Sequence, residues 1–543
     1  MKGVTPRWLK VSLINKYRNM SAGKFVQNLI LKYESSVIAL LAFILLFAVF
    51  PSYAQPGKDI RTLIVIFDGL RPEYITPENM PHVFSLRQSG SYGMDNHSVF
   101  PTVTRVNASS YATGSYPGTH GLLGNTVFFP EVHRTQVLNT GDVNELLRIK
   151  DATGNELLTA VSLGELLAKA GASLMVFSSG SSGQAFLQNH TVSGGGVIHP
   201  EVIFPSDLKE DVIKTIGNAP ASAKPNMAQH AWATRAFLRF GLAAEGPLVS
   251  ALWLSDPDGT AHSEGIGAPL TMESIEYVDR QMGIIIHELK ERNQLSRYNI
   301  IITSDHGFVS NVGQKSISEF LVDRRLKTER PSEDVVLAGN AIFVKDRNPA
   351  VIKEIVSALQ EQPWVGAIFT KSAAGQSVQG WVEGTLSFET IHWDHDTRAA
   401  DILVDYNWND SKNEYGYAGS SFSKGTAGHG GSSPYEIHIP LIVSGPAFKR
   451  GYESALPTSN TDIVPTVLHL HSLPVPSGMD GRVLKELLAN TPEKGKEQVK
   501  KEVFETSVKH PWGTYHLVLE RSIVGRQHYV NFTKVKRQLT SRK

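Results

Sequence analysis

Two threonines, Thr102 and Thr104, open the stretch Phe100 to Asn125, read FPTVTRVNASSYATGSYPGTHGLLGN. The run behind them, through Ser109, Tyr111 and Ala112, reads as a short helix broken at Gly114 and Pro117. A hydroxyl in the first turn of a helix faces unpaired backbone N–H groups and the positive end of the dipole, a geometry that suits phosphate. A threonine there is also an ordinary N-cap, so it gains meaning only from its company. That company is a set of carboxylates and imidazoles. Asp68 follows TLIVIF, Asp258 and His262 stand four apart in DPDGTAHSEG, Asp305 and His306 follow the run ending at Thr303, and His429 lies in TAGHGG. The four-residue spacing puts Asp258 and His262 on one face of a turn or helix start. Each residue alone reads as a cap, turn or surface group. Together they suit a metal site built from nitrogen and oxygen donors. The chain has 0 cysteines, which excludes disulfides, thiolate zinc sites and cysteine nucleophiles.

The elements that must position these residues alternate strand and helix. Thr62–Phe67, Leu174–Phe177, Leu248–Leu254 and Asn299–Thr303 are continuous apolar runs of strand length. Helical patterns cover Met80–Gln88, Leu158–Ala170, Gln229–Ala244 and Met272–Arg292. The expected fold is α/β, a mostly parallel central sheet with helices on both faces. Ligands of such sheets sit beyond the carboxyl ends of the strands, where Asp68, Asp258 and Asp305 all fall. Residues 315–420 break the rhythm and read as an α+β cap insertion, with strands at Val335–Lys345, Trp364–Thr370, Leu386–His392 and Ala400–Tyr406 and a helix at Ala350–Gln360. The expected division is 1–54 as signal peptide or membrane anchor, 55–314 and 421–490 as the two parts of a catalytic core, 315–420 as the cap, and 491–543 as a polar tail. The second core part holds a strand at Ile437–Val443 and a helix at Thr461–His471. The tail carries one hairpin, Tyr515–Glu520 to His528–Val535 around Gly525.

A chain of 543 residues, 41% hydrophobic and 19% charged, can bury a large core. Its net charge of +1 gives no electrostatic reason to expect bulk nucleic acid as a partner. The basic, acid-free start followed by VIALLAFILLFAVF and the small residues of Pro51-Ser52-Tyr53-Ala54 reads as an export segment. The body is then periplasmic or secreted, and touches a membrane only if that segment stays uncleaved.

The blocks IVIFDGLRP, FPTVTRVN…TGSYPGTHGLLGN, LSDPDGTAH, ITSDHGF, AGHGG and TDIVPTVLHL…SGMDGRVL resemble, in order, those of the alkaline phosphatase superfamily, nucleotide pyrophosphatase/phosphodiesterase branch. They span residues 62 to 485. The resemblance implies two zinc ions, with manganese or iron as substitutes left open. Asp258, His262 and His429 would hold one ion, and Asp68, Asp305 and His306 the other, with the Thr104 oxygen as a further ligand. Thr104 would be the nucleophile and Asn125 a donor to a phosphoryl oxygen, in an in-line displacement through a phospho-threonine. Two metals about 4 Å apart clamp the attacking and leaving oxygens of such a displacement. Metal contact activates a hydroxyl that is otherwise a poor nucleophile.

Several residues compete with this assignment. Thr102 rivals Thr104, and Asp256 rivals Asp258. His392, Asp394, His395 and Asp396 form a second metal-like cluster, IHWDHD, inside the insertion. His120 and Asn107 read as structural. The substrate is expected to be a small phosphorylated molecule, a nucleotide among the choices. One subgroup of the superfamily's monoesterases carries a Lys-x-Arg after the strand that here is Leu174–Phe177, and phosphonate-cleaving relatives place lysines nearby; this chain has the uncharged Ser178–Gln184 there. That favours a diester or pyrophosphate bond over the alternatives, a phosphomonoester or a phosphonate. An inactive ligand-binding relative is a further alternative, and the presence of every expected ligand group counts against it. Arg105, where the family's diesterases carry an aromatic, is the complication: it could bind a second phosphate, restore monoester preference, or face solvent.

Overall fold

The computed structural model describes residues 60–373, 378–491 and 498–540. The export segment lies outside the described residues, among which no helix is long and apolar enough to cross a membrane. Nine strands form the central sheet, in the order Tyr452–Ser459, Ser91–His97, His438–Ser444, Tyr298–Thr303, Arg61–Phe67, Val249–Leu254, Leu174–Ser178, Gly196–Ile198, Ile203–Phe204. The five strands from Tyr298–Thr303 to Gly196–Ile198 run parallel. His438–Ser444 is antiparallel to both its neighbours. Arg61–Phe67 is buried on both sides: Leu63, Val65 and Phe67 pack toward the long helix Pro269–Glu291, and Ile64 and Ile66 toward the helices Thr104–Thr113 and Ile463–Leu470. A strand covered on both faces needs an unbroken apolar run, which is why TLIVIF was legible. Register sets the site. Phe67 pairs with Leu254, and Ile66 with Thr303, so Asp68, Asp258 and Asp305 leave the sheet at one edge.

A five-stranded sheet, Val335–Ala338, Ala341–Val344, Ile402–Tyr406, Val365–Thr370 and Leu386–Ser387, packs with the helix Pro349–Gln360. Two expected strands are corrected here. Val335–Lys345 is a hairpin, turned at Gly339 with φ 60°. Leu386–His392 is strand only at Leu386–Ser387, and Phe388–Ile391 is a 3-10 turn. Phe388 and Ile391, three apart, both enter the core beside Trp393, a helical rather than an alternating spacing. The helix expected to reach Ala244 is regular over Met227–Ala236 and closes in a π turn, Phe237–Gly241.

The C-terminal stretch, read from sequence as a polar tail with one hairpin, is a three-stranded antiparallel sheet of Lys500–His510, Gly513–Val524 and Gln527–Leu539. Every second residue of its middle strand is buried from Gly513 to Arg521, and Tyr515, Leu517 and Leu519 join Phe369, Phe388 and Trp393 in one core. Tyr515 Oη donates to Gly366 O at 2.9 Å, and Arg537 Nη2 to Val365 O at 2.7 Å. A one-sided strand is half polar by composition, which hides it in a sequence rich in Lys and Glu. Leu517→Ala is therefore expected to cost about 2–5 kcal/mol in chemical denaturation. Val503→Ala, at a position 50% exposed, should stay within about 0.5 kcal/mol.

Candidate metal and phosphate site

Asp68 continues its strand, its N–H donating to Leu254 O at 3.0 Å, and its own carbonyl accepts the Asp258 N–H at 3.0 Å. Between them Gly69 turns the chain at φ 73°, where a Cβ would stand 3.1 Å from Asp258 Cα, so only glycine lets the two carboxylate segments touch. Asp258 begins the helix Asp258–Glu264, which carries His262 one turn on. Thr104 begins the helix Thr104–Thr113. The flanking Val103 offers no side-chain cap, so Thr104 is in the first turn with its hydroxyl free of capping.

These side chains converge. His306 Nε2 lies 3.0 Å from Asp305 Oδ2, 3.5 Å from Asp68 Oδ1, 3.9 Å from Asp258 Oδ1 and 3.3 Å from Thr104 Oγ1. Asp258 Oδ1 also lies 3.3 Å from His262 Nε2 and 3.2 Å from His429 Nε2. The His306 and His429 rings stack with centroids 3.4 Å apart. Among the described residues, the sets able to hold a metal ion are Asp258, His262, His429 and Asp68, Asp305, His306.

The donor atoms are presented as ligands. His306, His262 and His429 each place Nδ1 against a backbone carbonyl, of Gly307, Ala427 and Thr102, at 3.0, 3.0 and 2.8 Å. A carbonyl only accepts, so Nδ1 carries the proton and Nε2 keeps its lone pair toward the centre. The carboxylates are held the same way. Trp253 Nε1 donates to Asp68 Oδ2 at 2.9 Å, and Gly69 N to Asp305 Oδ1 at 3.0 Å. The other oxygens, Asp68 Oδ1, Asp305 Oδ2 and Asp258 Oδ1, are buried without a hydrogen-bond partner. Buried acceptors left bare in this way call for a cation. Burial and the neighbouring Asp305 and Asp258 hold the Asp68 carboxyl well above its usual range. Burial opposes ionisation of Asp258, but His262 and His429 outweigh it and hold that carboxyl well below. Burial, then His306, lowers His429 to about 4. This donor set fits two cations of the zinc type.

The rival residues hold the framework instead. Thr102 Oγ1 donates to Gly431 O at 2.7 Å and accepts from Gly430 N at 3.1 Å, pinning the loop that carries His429. Asp256 Oδ1 accepts from Thr260 Oγ1 at 2.7 Å and Thr260 N at 3.1 Å, and its Oδ2 accepts from Asn226 N at 2.8 Å and meets His230 Nε2 at 2.8 Å. His230 Nδ1 in turn lies 2.8 Å from Ser179 Oγ. This Ser–His–Asp chain is buried throughout, and it ties the helix of Asp258 and His262 to the end of the neighbouring strand. Sequence reading passed over Ser179 and His230, because neither has a motif of its own. Asn107 Oδ1 accepts from Val99 N and its Nδ2 donates to Val99 O, at 2.8 and 3.0 Å, fixing the approach to Thr104. His120 is buried on Ser110 Oγ at 2.9 Å. His392 stacks on Tyr116 at 4.1 Å, and His395 Nε2 lies 3.2 Å from Thr159 Oγ1, so IHWDHD does not gather into a ligand set.

Asn125 Oδ1 accepts the Arg105 backbone N–H at 3.0 Å. Asn125 and His429 line a cavity of about 180 Å³ with Phe100, Ala341, Asp405 and Glu436. Asp405 and Glu436 are a buried acid pair behind the His429 loop: Ser432 N–H donates to Asp405 Oδ2 at 2.9 Å and Gly431 N–H to Glu436 Oε1 at 2.7 Å. Burial and Glu436 push the Asp405 carboxyl up to about 7. The folded state then binds a proton that the unfolded chain releases near pH 4, so the pair favours folding below that pH and the benefit is lost as pH rises through about 7. Asp405→Asn keeps the acceptor and removes the ionisation. It should raise the thermal midpoint at pH 8, by a ΔΔG on the order of 2 kcal/mol, with the gain vanishing toward pH 4.

Residues 62–428 match the type I phosphodiesterase / nucleotide pyrophosphatase family. Human ectonucleotide pyrophosphatase/phosphodiesterase family member 5 is 23% identical over 418 residues, 77% of this chain and 75% of that protein. Human family member 1 is 25% identical over 258 residues, 47% of this chain and 24% of that protein. Venom phosphodiesterase of Naja atra is 25% identical over 263 residues, 47% and 27%. The matches thus span about a quarter of the length of these last two relatives. The solved structure of murine ectonucleotide pyrophosphatase/phosphodiesterase 5, an inactive Thr-to-Ala form in complex with AMP, superposes with a TM-score of 0.57 at 21% identity, covering 79% of this chain and 100% of that one. The match over most of the described chain, on an alkaline phosphatase-like fold, makes this protein a member of the type I phosphodiesterase / nucleotide pyrophosphatase family.

Proposed function

We propose that this chain is an exported, two-zinc hydrolase of phosphodiester and pyrophosphate bonds in nucleotide-like substrates, acting through a phospho-threonine on Thr104. One observation carries the reading: bare carboxylate oxygens of Asp68, Asp258 and Asp305 converge on His306 Nε2, with the Thr104 hydroxyl 3.3 Å from the same nitrogen. Asp258, His262 and His429 would hold one ion, and Asp68, Asp305, His306 and the Thr104 oxygen the other. Two bound cations supply acidification of the threonine hydroxyl and charge neutralisation at the phosphoryl group. Thr104 loses its proton and attacks phosphorus, the Oγ1–P bond forming as the bond to the leaving oxygen breaks. The positive end of its own helix favours the incoming anion. Asn125 spends its Oδ1 on the Arg105 N–H, leaving Nδ2 to donate to a phosphoryl oxygen. Water then cleaves the phospho-threonine. We read residues 315–420 as the cap, since Ala338–Ala341 and Leu403–Tyr406 line the cavity beside Asn125 and His429. The bound AMP of the murine relative supports a nucleotide, and the basic-then-apolar start of the chain supports export.

Calorimetric titration of chelator-treated protein should find two zinc ions bound, with a rise in thermal midpoint. Asp305→Asn should weaken one of them more than about tenfold. One ion, or none, sinks the two-metal centre. For the chemistry, wild type is expected to turn over bis-p-nitrophenyl phosphate faster than p-nitrophenyl phosphate. Thr104→Ala should lower that rate by about 10³-fold or more. A faster monoester rejects the diesterase reading, and full activity in Thr104→Ala removes the nucleophile.

A further inference from the structure

Among the described residues, no carboxylate forms an ion pair with Arg105. Its Nε is buried with no hydrogen-bond acceptor. Its guanidinium lies against the backbone of Gly141, where Nη2 stands 2.8 Å from the position a Cβ would take. A side chain at 141 would meet the end of the guanidinium, which would have to shift. Burial lowers its pKa, opposed by the fields of Asp68, Asp258 and Asp305. The Gly141 backbone is tied to Asn125 through Thr140, whose N–H and Oγ1 both donate to Asn125 O at 3.0 and 2.7 Å, so the guanidinium sits beside the residue expected to hold a phosphoryl oxygen. It forms no ion pair with any of those carboxylates, whose free oxygens turn to His306 instead. Next to it, the backbone N–H of the same residue anchors Asn125. A buried Nε without an acceptor is costly, and the planar fork of donors on a guanidinium matches the oxygens of a phosphate bidentately.

Resting on the two-metal reading above, we propose that Arg105 is a specificity-determining residue that binds a charged phosphate oxygen beyond the two that a simple diester offers. Once the carboxylates neutralise bound cations, the remaining counter-charge for this guanidinium is an incoming anion. That extra oxygen comes from one of two sources: the third oxygen of a terminal phosphate, or the neighbouring phosphate of a pyrophosphate bond. The uncharged Ser178–Gln184 loop supplies no competing cation on that side.

The test compares kcat/KM of metal-loaded wild type, Arg105→Ala and Arg105→Lys on three probes: bis-p-nitrophenyl phosphate, p-nitrophenyl phosphate and ATP. Arg105→Ala should lower the rate on p-nitrophenyl phosphate or on ATP by about 10- to 100-fold, with Lys recovering part of it, and change the diester by less than about threefold. The arm that falls identifies the source of the oxygen. Equal losses on all three probes, or no loss on any, overturn the proposal. Inorganic phosphate binding to metal-loaded Thr104→Ala protein, measured by calorimetry, gives a readout independent of turnover. Adding Arg105→Ala should weaken it about tenfold or more, and an unchanged affinity also overturns the proposal. Wild type that turns over none of the probes refutes the hydrolase reading, while the phosphate titration still decides the role of Arg105.

Discussion

Three carboxylates aimed at one another are the constraint on which the site depends. Asp68, Asp258 and Asp305 each leave an oxygen bare within 4 Å of a single imidazole nitrogen, His306 Nε2. The ligand oxygens of Asp68 and Asp305 lie within 4.8 Å of each other, and like charges at about that separation repel by roughly 3 kcal/mol at an effective dielectric of about 20. Burial and this field together raise the Asp68 carboxyl. Divalent cations answer the same field more completely.

Such a cluster persists because backbone and neutral donors hold each ligand from behind. The three imidazoles are fixed through carbonyls, Asp68 through an indole, and Asp305 through the turn at Gly69. None of these restraints adds a competing charge. A second layer acts at longer range. The Ser179–His230–Asp256 chain fixes the helix of Asp258 and His262, and Thr102 fixes the loop of His429. The two residues that rivalled the chosen ligand and nucleophile thus serve the same centre by positioning it. Their nearness in sequence to the reacting groups reflects how short the strand-end loops are.

The second sheet and the C-terminal sheet meet in one core through Phe369, Trp393, Tyr515 and Leu517. The strand Ile402–Tyr406 reaches from that core to the cavity beside His429 and carries Asp405 there. The tail is therefore part of what supports the floor of the cavity, through Thr533, whose hydroxyl meets Ser432 beside Asp405.

The parallel strands were legible because burial on both faces demands continuous apolar runs, and TLIVIF and its counterparts have them. The chemistry at their ends was legible because zinc-type ligands are few in kind and a strand end must turn, so DG, DPDGTAH and SDHG stand out. Ser91–His97 and Tyr452–Ser459 were not legible. Ser91–His97 carries Gly, Asp and Asn, and is held by bonds among Asn96, Thr303 and Thr458 that no local pattern announces. The tail sheet was hidden by its polar face. Sequence by itself determined which residue types were available for chemistry and that most lay at strand ends. Only the tertiary structure decided which of two neighbouring threonines and aspartates faces the centre, that IHWDHD scatters, and that Arg105 lies against Gly141 beside Asn125. Those choices depend on register and on contacts between segments hundreds of residues apart, and such contacts leave no trace in local spacing.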